Sequence, residues 1–143
     1  LTLMWQLARF EGYDNQFKVT EQDLLERGFG EQVQFDCIVA RVNRSEVSTK
    51  QGEIFGYAVL VYTPFTYDLK PAATLKEFLV KEGVRGYGIG QKLFTYMVQY
   101  CAAKGVERLS WLVLQGNCKA KDFYQGQGGA LSKQWLLYEK SFG

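Results

Sequence analysis

A glycine-rich turn between a predicted strand and a predicted helix constrains this chain more than any other stretch. The turn is Arg85-Gly86-Tyr87-Gly88-Ile89-Gly90. Thr74–Val80 before it is typical of a strand, and Ile89–Lys104 after it is typical of a helix. Glycine lets backbone N–H groups approach an anion closely, and the first N–H groups of a helix have no partner within it. We therefore predict a site for a phosphate-bearing ligand, with Arg85 as a fixed cation.

Two common nucleotide motifs do not match this turn. The dinucleotide fingerprint is G-x-G-x-x-G with an acid about 20 residues further on, whereas the spacing here is G-x-G-x-G. The P-loop requires Gly-Lys followed by Ser or Thr, and this chain has Gly90-Gln91-Lys92. An ordinary glycine-rich turn at the start of a helix remains the alternative to an anion site.

The turn does resemble the R-x-x-G-x-G/A acetyl-CoA motif of the GNAT N-acetyltransferases, in which the N–H groups of the turn hold the pyrophosphate. Asn117 to Tyr124 resembles the later motif of that family, where an Asn leads into a helix that carries a catalytic Tyr. The diamine branch, which includes spermidine/spermine and thialysine acetyltransferases, is similar over further segments. These are Leu7–Glu11, Thr20–Glu31, Cys37–Ala40 and Gly56–Ala58, so that the resemblance spans nearly the whole chain.

The resemblance implies which residues hold acetyl-CoA. In the family, the strand before the turn diverges from its neighbour and pairs with the pantetheine arm through its backbone, as an added strand would. The residues that take this role here are Phe78, Leu79 and Val80, for which a simple buried strand is a compatible alternative. The pyrophosphate would lie on Arg85, Gly86, Tyr87, Gly88, Ile89, Gly90 and Gln91, and Asn117, Cys118, Lys119 and Ala120 would lie beside the coenzyme.

Proton transfer in this chain cannot use histidine, because the sequence contains none. That excludes Ser-His-Asp triads, Cys-His pairs and H-E-x-x-H zinc sites. By resemblance, Tyr124 is the candidate general acid, since a phenol with a reference pKa of about 10 suits a thiolate leaving group. A half-buried aromatic on a helix is the alternative for Tyr124. The general base is left open.

The acceptor side departs from the polyamine branch. That branch has Glu-Asp in the strand before the turn, and this chain has Lys76-Glu77. Because strand side chains alternate, we expect Lys76 and Glu77 to face opposite ways, and an inward Lys76 would repel a cationic amine. Phe10 and Glu11 match the substrate-contacting pair of the branch, although an exposed Glu at a helix end is a common feature. The segment 128–135 looks shortened. Polyamines are therefore predicted to be poor substrates.

The predicted fold is an α/β protein with a mixed sheet, the GNAT acyl-CoA N-acyltransferase fold, in one domain of residues 1–143 with the first strand apparently missing. The order is α-α-β-β-β-α-β-α-β. The first helix contains Leu3, Leu7 and Phe10, and the second has a Thr20/Asp23 capping box and a stop at Gly28. The remaining predicted elements are strand Phe35–Val42, turn Asn43–Gly52, strand Ile54–Thr63, loop Pro64–Pro71, the strand and helix around the glycine turn with Gly105 as C-cap, strand Arg108–Leu114, helix Lys119–Gln127 and strand Gln134–Tyr138.

Composition narrows the partners and the compartment. The net charge of +2 lacks a basic block, so nucleic acid is not predicted as a partner. Apolar runs are too short for a membrane span. Three cysteines, Cys37, Cys101 and Cys118, lack metal or redox spacing, which favours a reducing cytoplasm and no metal. Similarity to the diamine branch implies a homodimer.

The sequence thus predicts an acetyl-CoA-dependent N-acetyltransferase that acts on a small primary amine or amino acid by direct transfer in a ternary complex. No convincing nucleophile motif is present for a covalent enzyme intermediate. The first alternative is a paralogue that binds acetyl-CoA with little or no turnover, which Lys76 and the shortened segment favour. A second alternative is acyl transfer to a protein lysine or N-terminus, which requires an open peptide groove.

Overall fold

The computed structural model describes residues 1–41 and 52–143. The chain forms two compact units, Leu1–Leu112 and Val113–Gly143. The turn predicted for Asn43–Gly52 lies outside the described residues apart from Gly52. Across the described residues, no helix is both long enough and apolar enough to span a bilayer.

Two helices precede the sheet. The first, α1, is Thr2–Glu11, and a short 3-10 helix at Asp14–Gln16 follows it. The second, α2, is Glu21–Phe29. The predicted capping box is confirmed, because the Thr20 hydroxyl accepts from the Asp23 N–H and the Asp23 carboxylate accepts from the Thr20 N–H.

The predicted stop of α2 at Gly28 is wrong by two residues. The helix continues to Phe29, and Gly30 is its C-cap, with its N–H donating to the Glu26 carbonyl. Glycine is only mildly unfavourable inside a helix, so the closing hydrogen bond rather than the first glycine determines where α2 ends.

The first unit contains a four-stranded mixed sheet in the order β1-β2-β3-β4. The strands are β1, Asp36–Arg41; β2, Ile54–Thr63; β3, Ala72–Val80; and β4, Arg108–Trp111. β1 with β2 and β2 with β3 are antiparallel, whereas β3 with β4 is parallel. The predicted hairpin and mixed sheet are therefore confirmed.

The helix after the glycine turn, α3, is Ile89–Ala103 and packs on β1, β2 and β3. It ends at Lys104 as C-cap, one residue before the predicted Gly105, which has a φ of 78°. In the second unit, α4 is Cys118–Gly126, one residue earlier at each end than predicted.

The two faces of the sheet carry different helices. On the α3 face, one oxygen of Asp36 accepts from Tyr62, Tyr100 and Lys104. Burial alone would raise the pKa of Asp36, but these hydrogen bonds together hold it below its usual value. On the opposite face, Leu7 of α1 packs on a cluster from β2 and β3, formed by Tyr57, Val59 and Leu79. We call these the α3 face and the α1 face.

Two strand predictions are corrected. β4 ends at Trp111 rather than Leu114, because its pairing with β3 stops at Leu75–Trp111. Gln134–Tyr138 belongs to no strand of the described sheet. Its apolar run is favourable for a strand, but a strand also requires a neighbour to take its backbone hydrogen bonds. Trp135 is instead 80% exposed and Tyr138 is 88% exposed.

Candidate active site

The site begins where the pairing of β3 with β4 ends. Their parallel pairing runs from Ala72–Arg108 to Leu75–Trp111, and β3 continues beyond it to Val80. The predicted pantetheine-pairing residues Phe78, Leu79 and Val80 lie in this continuation. One edge of this part of β3 pairs with β2, and the other edge continues past the end of the pairing with β4.

A β-bulge interrupts β3 at this point. Val59 pairs with Glu77 and its neighbour Leu60 pairs with Leu75, which leaves Lys76 as an extra residue. A bulge places two residues opposite one and breaks the alternation of side chains. The regular alternation on which the prediction for Lys76 and Glu77 is based is interrupted here, since Leu75 and Glu77 lie on opposite faces. That Lys76 and Glu77 face opposite ways stays a prediction. Lys76 is exposed.

Glu77 lies on the α1 face in a half-buried position. Its Oε1 accepts a hydrogen bond of 3.1 Å from the Tyr57 hydroxyl. Burial raises the pKa of Glu77, and the nearby negative charge of Glu11 adds to that increase. Burial also raises the pKa of Glu11, and it raises the pKa of Tyr13 to about 12, with further contributions from Glu77 and Glu11. Two carboxyl groups, of Glu77 and Glu11, and two phenols, of Tyr57 and Tyr13, therefore interact at this position.

No ion pair joins Glu77 or Glu11 to a lysine or arginine in the described part of the chain. A half-buried carboxyl group that has no ion-paired cation, such as Glu77, is less favourable in its charged form. Such a group is suited to accept a proton or to hold an ammonium group supplied from outside. Phe10, predicted beside Glu11, is 62% exposed.

The glycine turn has an open backbone. Gly86 and Gly88 have φ values of 93° and 72°, in the left-handed region that favours glycine. Apart from the residues next to each glycine, a Cβ built on either would find no atom of the described residues within 4 Å. Val84, only 4% exposed, anchors the turn. The Arg85 Nε donates to the carbonyl of Val80 at 3.2 Å, which ties the turn to the end of β3.

The N-terminus of α3 follows directly from this turn. Gly88 is its N-cap and provides no capping side chain, so the first N–H groups of Ile89, Gly90 and Gln91 have no side-chain cap from it. Tyr87 is 57% exposed. Lys81 fixes the other end of the turn, since its N–H donates to the Phe55 carbonyl and its ammonium pairs with Glu53 at 2.6 Å. The geometry fits an anion site.

An aromatic cluster lies on the α3 face of the sheet, near the end of the pairing between β3 and β4. The Phe94 ring centroid lies 6.0 Å from that of Phe78 and 5.7 Å from that of Trp111, both in edge-on orientations. Phe94 is 4% exposed. The cluster packs the α3 side of the strands where their backbone pairing ends.

The second unit contains the remaining predicted residues. Asn117 is the N-cap of α4, and its Oδ1 accepts from the Ala120 N–H at 3.1 Å. Cys118 and Lys119 start the helix and are exposed. Tyr124 is half-buried, with its ring centroid 5.4 Å from that of Phe123. The expectation that an Asn leads into a helix carrying Tyr124 is met within this unit.

Sequence reasoning missed Tyr57 and Tyr13. Gly56-Tyr57-Ala58 contributes only to the family resemblance, although Tyr57 and Val59 share a face by alternation. Neither tyrosine stands in a recognisable catalytic motif. The bulge, which places Glu77 near Tyr57, has no signal in the residues of β3 themselves.

Comparison with known proteins identifies the family. Residues 4–128 match the family model described as Acetyltransferase (GNAT) family. The chain therefore belongs to the GNAT acetyltransferases, and the predicted fold, family and enzyme class are confirmed.

Individual relatives agree with this assignment. The thialysine N-epsilon-acetyltransferase of Bos taurus is 30% identical over 128 residues, covering 90% of this chain and 75% of the relative. That of Mus musculus is 28% identical over 141 residues, covering 96% and 82%. Among solved structures, an aminoglycoside acetyltransferase from an uncultured soil metagenomic sample, in complex with sisomicin, has a TM-score of 0.75 at 21% identity and covers 99% and 86%. At this identity, the likeness to the aminoglycoside acetyltransferase structure shows a shared fold and no more.

Proposed function

We propose that this protein is an acetyl-CoA-dependent N-acetyltransferase, acting as one domain over residues 1–143 on a small primary amine or amino acid. The observation that carries the proposal is Glu77, a half-buried carboxyl group at the bulge where β3 leaves β4. It receives a hydrogen bond from Tyr57 and lies near Glu11. The relatives named for thialysine support a small amine as the acceptor.

The residues present fit acetyl-CoA. The open space at Gly86 and Gly88, the uncapped start of α3 and Arg85 suit a pyrophosphate. The edge of β3 at Phe78–Val80 that faces away from β2 lies beyond the end of the pairing with β4, and it suits the amide groups of a pantetheine arm. When bound, the coenzyme supplies an activated acetyl group. Asn117, Cys118, Lys119 and Ala120 of the second unit are proposed to lie beside it.

Glu77 is proposed as the general base. An ammonium group cannot attack a thioester until it has lost a proton, and a carboxylate with a raised pKa accepts that proton more readily than an exposed one. Glu11 is proposed to attract the ammonium group into the site, with Phe10 and Lys76 at its rim. Tyr124 is proposed to donate its hydroxyl proton to the departing thiolate. The transfer is direct, without a covalent enzyme intermediate.

A thiol-release assay tests this function. Purified protein is first titrated with acetyl-CoA in a thermal-shift measurement and then assayed with thialysine, lysine, propylamine and spermidine. A rise in Tm followed by amine-dependent thiol release is expected. A rise in Tm without release for any amine would favour the alternative, a binding paralogue, which the exposed cation Lys76 supports.

Arg85→Ala is expected to weaken acetyl-CoA binding by about 1–3 kcal/mol, the range for charge-assisted hydrogen bonds. Gly88→Val is expected to be more damaging, because it strains a positive φ and fills the open space above the turn. Calorimetry measures both affinities. Lys18→Ala is the control, since it removes an exposed cation ahead of α2. Unchanged affinity in both test variants would refute the assignment of the turn.

Spermidine is expected to be a poor acceptor compared with thialysine. Lys76 is exposed next to Glu77, and a like-charge contact at about 4 Å with an effective dielectric near 20 costs roughly 4 kcal/mol before screening. The measurement is kcat/KM for each amine. Lys76→Glu is expected to reduce the difference in kcat/KM between thialysine and spermidine. Efficient spermidine acetylation by the unmodified protein would contradict the prediction.

The cytoplasm and a homodimer complete the proposal. The three cysteines are free, which agrees with a reducing compartment. Exposed apolar side chains near the C-terminus, such as Trp135, Leu136 and Phe142, would gain from contact with a second copy. Light scattering coupled to size exclusion measures the mass, and a monomer at micromolar concentration would exclude the dimer.

A further inference from the structure

Tyr57 has a role that packing alone does not account for. It lies in the middle of β2, is 4% exposed, and belongs to the apolar cluster with Leu7 of α1. Its hydroxyl reaches Oε1 of Glu77 at 3.1 Å. Tyr57 pairs with Leu79 and Glu77 pairs with Val59, so the two side chains are diagonal neighbours on the α1 face.

The packing around Tyr57 holds its side chain in one orientation. The ring is held by Leu7, Val59 and Leu79, and a buried hydroxyl requires a partner. A phenylalanine would fill the same volume within the cluster. The hydroxyl therefore serves the carboxylate of Glu77, and the direction of its hydrogen bond is fixed by the packing of the ring.

We propose that Tyr57 is a positioning residue, whose hydroxyl orients the Glu77 carboxylate at the bulge of β3 and stabilises its charged form in the free enzyme. The inference rests on the proposed role of Glu77 as the general base. It adds to that role a fixed donor on the neighbouring strand, so that the base has one orientation when the amine arrives.

The charged surroundings of Glu77 agree with this role. Burial raises the pKa of Glu77, the Tyr57 hydrogen bond lowers it, and Glu11 of α1 raises it again. The positive charges of Lys76 and of the α-amino group of Leu1 lower the pKa of Glu77. Tyr13 after α1 and Cys37 of β1 also interact with Glu77.

Tyr57 itself stays protonated. Burial, followed by the charge of Glu77, raises the pKa of Tyr57 far above its ordinary value. The hydroxyl is therefore a donor at every pH at which the enzyme is assayed. A difference in pH dependence between the unmodified protein and Tyr57→Phe then comes from the Glu77 carboxyl group, because the acceptor amine is the same in both.

The test is the pH dependence of kcat/KM for the amine in Tyr57→Phe. Without the hydrogen bond, the pKa of Glu77 rises, and the acidic limb of the profile is expected to move to higher pH by about 0.5–1 unit. At pH values below the limb, the kcat/KM of Tyr57→Phe should be about 3–10-fold lower than that of the unmodified protein. At pH values well above the limb, the profiles of the two proteins should converge. The affinity for acetyl-CoA should not change. A limb at the same pH in a folded Tyr57→Phe protein would overturn the proposal.

Two controls distinguish a positioning role of Tyr57 from a purely structural one. Tyr13→Phe removes a phenol that interacts with Glu77 but forms no hydrogen bond to it within the described residues, and its limb should stay in place. Replacing Tyr57 by 3-fluorotyrosine makes the phenol a stronger donor while retaining its packing. It should move the limb to lower pH, and it keeps the test decisive if Tyr57→Phe folds poorly.

Glu77→Gln distinguishes the two proposals. If Glu77→Gln is inactive while the acidic limb of the Tyr57→Phe profile does not move, the role of Glu77 as general base is retained and the positioning role of Tyr57 is refuted. If Glu77→Gln retains full activity, Glu77 is not the base and both are refuted. If Glu77→Gln is inactive and the Tyr57→Phe limb moves, both are supported.

Discussion

Glu77→Gln is expected to reduce kcat by about 10²–10⁴-fold, the usual contribution of a general acid or base. The amide keeps the volume and can still accept from the Tyr57 hydroxyl, but it cannot take a proton from the amine. Steady-state thiol release with saturating acetyl-CoA measures the effect. A normal kcat would mean that water or Glu11 performs this step.

Stability measurements show whether such a loss is chemical or structural. The folded state raises the pKa of Glu77, so its contribution to stability is present below the ordinary pKa and is lost as the pH rises through the raised value. Above that raised value the charged group therefore destabilises the fold, and Glu77→Gln is expected there to have an unchanged or higher Tm. Glu82→Gln, which removes an exposed carboxylate in the turn, is the matched control for charge and should keep its activity.

Tyr124→Phe is expected to lower kcat by a similar factor, about 10²–10⁴-fold, with acetyl-CoA affinity nearly unchanged. The ring keeps its packing beside Phe123 and loses only the hydroxyl proton needed by the thiolate. The rate of the unmodified enzyme should also fall at low pH, because the acceptor amine must be neutral to attack.

The control for this variant is Tyr138→Phe, which removes the hydroxyl of a tyrosine in the same unit that is 88% exposed. It should behave like the unmodified enzyme. Full activity in Tyr124→Phe would instead assign Tyr124 to packing, with solvent or the acceptor supplying the proton.

Local features of the fold were predictable from the sequence. The capping box of α2 depends on Thr20 and Asp23 alone, and the glycine turn carries its conformation in its own residues. Both are decided within a few positions of the chain, where residue type and spacing contain the needed information.

Features that depend on a neighbouring strand were not predictable in the same way. The bulge at Lys76 arises from the register between β2 and β3, which the alternation in β3 does not reveal. The final strand was predicted from the apolar residues 134–138, yet a strand needs a partner as well as a favourable composition. The pairing of Glu77 with Tyr57 depends on the same register, so the sequence identified the acid without its donor.

The bulge also determines where the chain tolerates a change of length. Lys76 is the residue of β3 without a place in the pairing register, so a chain shortened by Lys76 would keep Leu75 towards α3 and Glu77 towards α1. A deletion within the regular part of β3 beyond it would turn the side chains on one side of the gap to the opposite face. Evolution can therefore remove this cation from the acceptor side by deletion as well as by substitution, without shifting the strand that carries the base.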